Sequence, residues 1–242
     1  MKEMKKKLTF LIPLFLMAVL TAVFMIYAGI YYRADPAAEA ALRSDDAVQI
    51  SRTDYGWFFD GPSGGSALIF YPGGKVEETA YAPLCHALAR EGMDVCIVKM
   101  PFRLAVFGGN RAEKVMESHV YEHWFIGGHS LGGVMAASFA SEHGDALEGL
   151  VLLAAYSIDE LDEDLRTVLI YGSEDRVLDY EKARENRDNL PKDLAEYVIM
   201  GGNHAQFGSY GRQKGDGEAT ISAERQWDET VSVILGFASS DE

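Results

Sequence analysis

The run Gly128-His129-Ser130-Leu131-Gly132-Gly133 constrains this chain more than any other. It fits G-x-S-x-G, a pattern that holds a serine on a sharp turn between a strand and a helix. Both flanks agree: 122–126 carries the short apolar run Trp124-Phe125-Ile126, and 131–143, Ala-rich with Met135 and Phe139, reads as a helix. On such a turn the serine backbone is strained, and the residues two positions away on either side must lack side chains. Gly128 and Gly132 meet that demand. The turn then lifts the Ser130 hydroxyl above the sheet and aims the Leu131 N–H toward a developing oxyanion. A bare match arises by chance in roughly one chain in ten of this size, so the flanks and the partners downstream decide its meaning.

On an open α/β sheet the partners of such a serine follow in the order acid, then histidine. Of the six histidines, His86, His119, His123, His129, His143 and His204, only His204 lies well downstream of a plausible acid. The apolar strand Thr167-Val168-Leu169-Ile170-Tyr171 runs into Gly172-Ser173-Glu174-Asp175, and Asp175 is the candidate acid, with Glu174 as the fallback. The strand Tyr197-Val198-Ile199-Met200 runs into Gly201-Gly202-Asn203-His204. Ser130, Asp175 and His204 thus fall at strand ends, where open α/β sheets build their sites. In that arrangement His204 takes the Ser130 proton as general base, while Asp175 fixes its tautomer and supports the imidazolium. A second oxyanion N–H comes from the loop after Ala67-Leu68-Ile69-Phe70-Tyr71, namely Pro72-Gly73-Gly74-Lys75; Gly74 is the candidate and Lys75 the adjacent alternative. His129 is expected as a packing or hydrogen-bonding neighbour, His86, His119 and His143 as structural residues on helical patterns, and the Gly-rich stretch 208–221 with Asp216 and Glu218 as a surface loop, the alternative being a frame for the pocket beside His204.

Leu8 through Tyr32 form an uncharged, mostly apolar run of 25 residues, and a bilayer core needs about 20. Lys2, Lys5, Lys6 and Lys7 precede it, and Asp35, Glu39, Asp45 and Asp46 follow. The positive-inside rule then keeps the N-terminus cytoplasmic and the rest of the chain outside. A cleaved signal peptide is the rival reading, since Ala38-Glu39-Ala40 resembles a cleavage site, but the run exceeds the roughly 7–15 apolar residues of such leaders. The expected organisation is a basic N-terminus and transmembrane anchor over 1–33, a tether over 34–46 and one folded domain over 47–242.

Within that domain Val48 to Phe59 reads as an opening hairpin, with Gly61-Pro62-Ser63-Gly64-Gly65 behind it. The pattern then predicts strands at 67–71, 94–99, 122–126, 148–154, 167–171 and 195–200, and helices at 77–91, 105–117, 131–143, 178–188 and 223–238. Such alternation specifies an α/β class with a mostly parallel central sheet flanked by helices. The two cysteines, Cys85 and Cys96, read as small buried hydrophobes. No Cys/His metal spacing and no dinucleotide or phosphate-loop fingerprint occurs, so neither a metal nor a cofactor is expected. The chain carries −15; residues 1–33 hold five basic and one acidic residue, which leaves −19 on the remainder. So acidic a surface disfavours nucleic acid and anionic phosphate substrates.

Phe70-Tyr71-Pro72-Gly73-Gly74-Lys75-Val76, Val98-Lys99-Met100-Pro101, Gly127 through Gly133, Tyr171-Gly172-Ser173-Glu174-Asp175 and Gly201 through Gly208 together resemble the α/β-hydrolases. The likeness is greatest to the bacterial α/β-hydrolase fold-5 family and spans about residues 66 to 238. It implies a serine hydrolase whose triad matches Ser130, Asp175 and His204. One departure is Tyr71-Pro72-Gly73, where many esterases of the superfamily carry His-Gly. Larger members insert a lid where this chain has only the short link between Tyr156 and Arg166, which implies a lidless or minimally lidded site open to small or surface-presented substrates. The leading expectation is a membrane-anchored hydrolase of small-molecule esters or thioesters. Acyl transfer or peptide cleavage on the same triad, and a non-catalytic envelope-binding protein on a hydrolase scaffold, are the alternatives.

Overall fold

Buried strands of the apolar kind alternate their side chains between two faces, and β3 (Ser66–Tyr71) shows it cleanly. Leu68 and Phe70 join one core, while Ala67, Ile69 and Tyr71 join the other. The computed structural model describes residues 2–62 and 64–239, so Ser63 of the expected turn lies outside the described residues. The chain divides into two units at Tyr31–Tyr32. The first is helix α1 (Lys2–Gly29), whose Leu11–Gly29 stretch has a mean hydropathy of 2.4 and is long and apolar enough to cross a membrane.

The second unit is built on an eight-stranded sheet. The hairpin β1 (Gln49–Arg52) and β2 (Gly56–Asp60) forms one edge, and β2 pairs antiparallel with β4 (Met93–Val98). From β4 inward every pairing is parallel, in the order β4, β3, β5 (His123–His129), β6 (Gly149–Leu153), β7 (Thr167–Gly172) and β8 (Ala195–Ile199). Helices cover both faces. One face holds α3 (Ala82–Arg90) and α7 (Ala223–Ala238), which contribute Leu84, Leu88, Val231 and Ile234 to the first core. The other holds α4 (Arg111–Ser118) and α5 (Leu131–His143), which contribute Ala112, Val115, Ala136 and Phe139 to the second. Cys85 and Cys96 are free, buried and divided between the two cores, and burial pushes both thiols up, Cys96 to about 12.

Differences from the sequence reading have local causes. The helix expected over 77–91 is a 3-10 turn, Glu78–Tyr81, followed by α3, with Pro83 in the first turn where its missing N–H costs nothing. The helix expected over 105–117 breaks at Gly108-Gly109 into a 3-10 turn and α4. Helix α6 shortens to Tyr180–Glu185. Strand β5 runs three residues past Ile126, straight into the serine turn. Between β6 and β7 no helix is inserted.

Residues 34–46, expected as a tether, are built into the domain. Tyr32 forms a parallel bridge with Val76, donating to Lys75 O at 2.8 Å and accepting from Glu77 N at 2.9 Å. Asp35 caps the short helix α2 (Pro36–Ala40), and its Oδ1 accepts from the Ser209 hydroxyl at 2.6 Å. Ala38, within the stretch that resembled a cleavage site, is fully buried.

Candidate active site

Ser130 sits between β5 and α5 at φ 53 and ψ −124, a conformation that L-residues seldom adopt. Its N–H donates to Leu153 O of the neighbouring strand at 2.9 Å, and its carbonyl accepts from Val134 N, so both ends of the strained residue are held. The flanking glycines are there for want of space. A Cβ on Gly132 would lie 2.1 Å from Tyr71 O and 2.4 Å from Pro72 O, and one on Gly128 would lie 2.6 Å from Tyr71 O. The crowding brings the loop after β3 against the start of α5, where Gly74 would meet Leu131 Cδ2 at 2.9 Å.

That loop distinguishes its own amides. Gly73 N donates to the Tyr81 hydroxyl at 3.0 Å, and Lys75 N to Arg103 O at 2.8 Å. Lys75 takes a left-handed φ of 60 in doing so. Among the described residues the Gly74 N–H has no acceptor in the chain. Leu131 N belongs to the first turn of α5, whose amides lack partners within the helix.

Asp175 follows β7 and His204 follows β8. Asp175 Oδ2 lies 2.8 Å from His204 Nδ1, and Asp175 Oδ1 accepts from Val177 N and Leu178 N at 2.8 Å each. Glu174, the fallback acid, instead accepts from the Ser173 hydroxyl. His204 Nε2 is buried and has no hydrogen-bond partner among the described residues. The next ring along is His129, the residue before Ser130, 4.4 Å from the His204 ring centre to centre. Among the described residues no hydrogen bond joins Ser130 Oγ to His204 Nε2; the structure pairs His204 with Asp175 and sets the His204 ring against His129, the residue before Ser130.

His129 is the expected neighbour: its Nδ1 lies 2.8 Å from the Tyr81 hydroxyl. Burial first, and then the proximity of His204, hold its pKa well below the usual imidazole range, so it stays neutral. The remaining histidines do other work. His86 faces Asp45, His119 bonds Tyr55, His123 faces Glu148 and His143 faces Glu113.

The sequence reading missed two supports. Asp216, left as a surface acid, accepts from Arg176 N, His204 N and Gly217 N through Oδ1 and from Ala205 N through Oδ2, so one carboxylate clamps the loops of both Asp175 and His204. Gln226 of α7, fully buried, exchanges two hydrogen bonds with the Asn203 backbone. Its side chain sits inward with Thr230 among the apolar Trp227, Val231 and Ile234, and a polar residue at a core-facing helical position is the signal that could have found it. Among the described residues no group of His, Cys, Asp and Glu stands together as a metal site would need.

Residues 67–228 match the model of the alpha/beta hydrolase family. No curated protein matches in sequence. Among solved structures, the chain is similar to carboxyl esterase 2 of the mycorrhizal fungus Tuber melanosporum (TM-score 0.60, 11% identity, covering 88% of this chain and 91% of that one). It is also similar to dienelactone hydrolase of Anabaena variabilis (0.58, 10%, 78% and 97%) and to a bacterial membrane phospholipase A (0.58, 12%, 99% and 100%). Identities this low speak for the fold alone, but the family match covers most of the chain, and with the sheet order and the strained serine turn it settles the grouping: this chain belongs to the alpha/beta hydrolase family.

Proposed function

We propose that the chain is a serine hydrolase of the carboxylesterase kind (EC 3.1), cleaving ester or thioester bonds through an acyl-enzyme on Ser130. The observation that supports this reading is the buried His204–Asp175 pair, with the His204 ring 4.4 Å from that of His129, the residue before a serine held at φ 53. His204 Nε2 takes the Ser130 proton as the hydroxyl attacks the carbonyl, and Asp175 holds the opposite ring nitrogen and supports the imidazolium. The tetrahedral oxyanion is met by Leu131 N–H and Gly74 N–H; the Lys75 N–H, engaged with Arg103 O, does not serve. His204 then returns its proton to the leaving group, and water resolves the acyl-enzyme by the same route.

A cavity of about 280 Å³ is lined by Tyr156, Leu169 and Leu178, whose N–H donates to Asp175 Oδ1, and also by the charged Arg184, Arg187 and Glu196; a small, partly polar substituent of a small-molecule ester is the occupant it suits. Residues 8–32 hold the protein in a membrane as a single pass, with the N-terminus cytoplasmic and the catalytic domain outside. The apolar helix supports this, and the burial of Ala38 inside α2 favours an uncleaved anchor.

The test is fluorophosphonate labelling of the full-length chain in detergent, with turnover of p-nitrophenyl esters of rising chain length, as wild type and Ser130→Ala. Labelling and turnover that vanish in the variant support the reading. A folded wild type that does neither overturns it. Added alcohol acceptor separates hydrolysis from acyl transfer by product partition, and carbonate extraction of membranes tests the anchor.

A further inference from the structure

We propose that Tyr81 is a positioning residue for this site, its single hydroxyl joining the oxyanion loop to the serine turn; the proposal rests on the serine-hydrolase reading. Tyr81 ends the 3-10 turn before α3, and its side chain is fully buried. A buried hydroxyl must find partners, and both of these lie in the site. Its oxygen is 3.0 Å from Gly73 N and 2.8 Å from His129 Nδ1. A phenol has one proton to give. Gly73 N–H donates into the oxygen; with the phenol's own proton given to His129 Nδ1, the neutral ring carries its hydrogen on Nε2, a buried atom without a hydrogen-bond partner among the described residues. The His129 ring in turn packs on His204 at 4.4 Å and on Phe207 at 5.5 Å.

The consequence for Gly74 is geometric. The amides on either side of it are both tied down, Gly73 to Tyr81 and Lys75 to Arg103 O. Gly74 N–H is left pointing where the pinned neighbours aim it, which is what an oxyanion donor needs before the charge develops. Gly73 itself leaves no room for another residue, since a Cβ there would lie 2.7 Å from the Tyr81 oxygen and 2.9 Å from His129 Nδ1. One hydroxyl therefore registers the donor loop against the residue preceding the nucleophile.

Tyr81→Phe in the full-length chain removes the hydroxyl and keeps the ring against Phe70 and Tyr210. With p-nitrophenyl acetate, normalised to fluorophosphonate-labelled sites, kcat is expected to fall roughly 10- to 100-fold, a fraction of the loss on deleting an oxyanion donor, with KM changed less than about twofold. A merely structural role would lower the melting temperature and the labelled fraction but leave kcat per labelled site intact, and that result overturns the proposal. Should Tyr81→Phe fail to fold, His129→Asn, which can still accept from Tyr81, is compared with His129→Leu, which cannot. The leucine variant is expected at least about fivefold below the asparagine variant in kcat, and equal values overturn the proposal. A wild type that neither labels nor turns over is a different failure, that of the hydrolase reading.

Discussion

Asp175 Oδ2 lies 2.8 Å from His204 Nδ1, with both residues buried and the other carboxylate oxygen already held by two backbone amides. The carboxylate is thus aimed by its own loop before it meets the imidazole. Asp175→Asn keeps the shape and the Oδ1 contacts but presents a neutral amide to Nδ1, which favours the wrong tautomer. On the proposed mechanism kcat is expected to fall roughly 10⁴-fold, while the thermal transition moves little. Steady-state kinetics beside a melting curve check both halves, and a variant within tenfold of wild type would sink the role assigned to Asp175.

Space, rather than chemistry, decides at Gly132. An alanine Cβ would stand 2.1 Å from one backbone carbonyl and 2.4 Å from the next, neither of which can rotate away. Gly132→Ala is expected to lose at least about 3 kcal/mol of stability, read by urea unfolding. Gly236→Ala is the contrast: a Cβ there meets nothing within 4 Å on α7, and the substitution is expected to gain about 0.5–1 kcal/mol.

Asp216 shows where the sequence was legible and where it was not. Short apolar runs and helical patterns marked the strands and helices because burial acts on each element separately, and strand ends marked Asp175 and His204 for the same reason. The bonds of Asp216 reach back 40 residues to Arg176 and 12 to His204. No local pattern distinguishes such a carboxylate from one facing water. The segment 34–46 escaped likewise: its partners Glu77 and Ser209 lie far along the chain, and an Ala-rich charged stretch carries no period to announce them. Gly74 and Lys75 could not be separated from sequence, since the choice turns on whose carbonyl stands near, and Arg103 O stands by Lys75.

Removing the Asp216 carboxylate leaves four amides without their acceptor. Asp216→Ala is expected to cost about 1–3 kcal/mol in stability and to lower kcat/KM about tenfold by loosening the Asp175 and His204 loops together. Asp216→Asn retains an acceptor oxygen and is expected to fall between. An alanine variant with wild-type kcat/KM would show that the clamp does not reach the chemistry.

His129 makes stability depend on pH with a definite sign. Its folded pKa is depressed while its unfolded value stays near 6.5, so below about 6.5 the unfolded chain binds a proton that the folded chain refuses. Stability is therefore lost as pH falls through that value, at up to about 1.4 kcal/mol per pH unit from this one group. His86 and His119, also depressed by burial, act in the same direction. Urea midpoints between pH 7 and pH 5 are expected to fall more steeply in wild type than in His129→Asn, and parallel lines would remove His129 as the cause.

The N-terminal segment offers the last test, because it fixes where the folded domain begins. Tyr32 bridges Val76, Ala34 N donates to Glu77 Oε2, and Asp35 N donates to Ser209 O while its carboxylate caps α2 and takes the Ser209 hydroxyl. Glu77 stands three residues past Gly74, and Ser209 five past His204, so the segment ties together the loops that carry the candidate donor and base. A fragment of residues 32–242 should hold these bonds, whereas one of 47–242 loses them all and uncovers core partners of α2. The shorter fragment is expected to unfold at lower urea and to label with fluorophosphonate more slowly per folded molecule. Within the full-length chain, Asp35→Ala removes the cap and the Ser209 contact, at about 1 kcal/mol. Equal labelling rates for the two fragments would mean that residues 32–46 cover the domain without bracing its site.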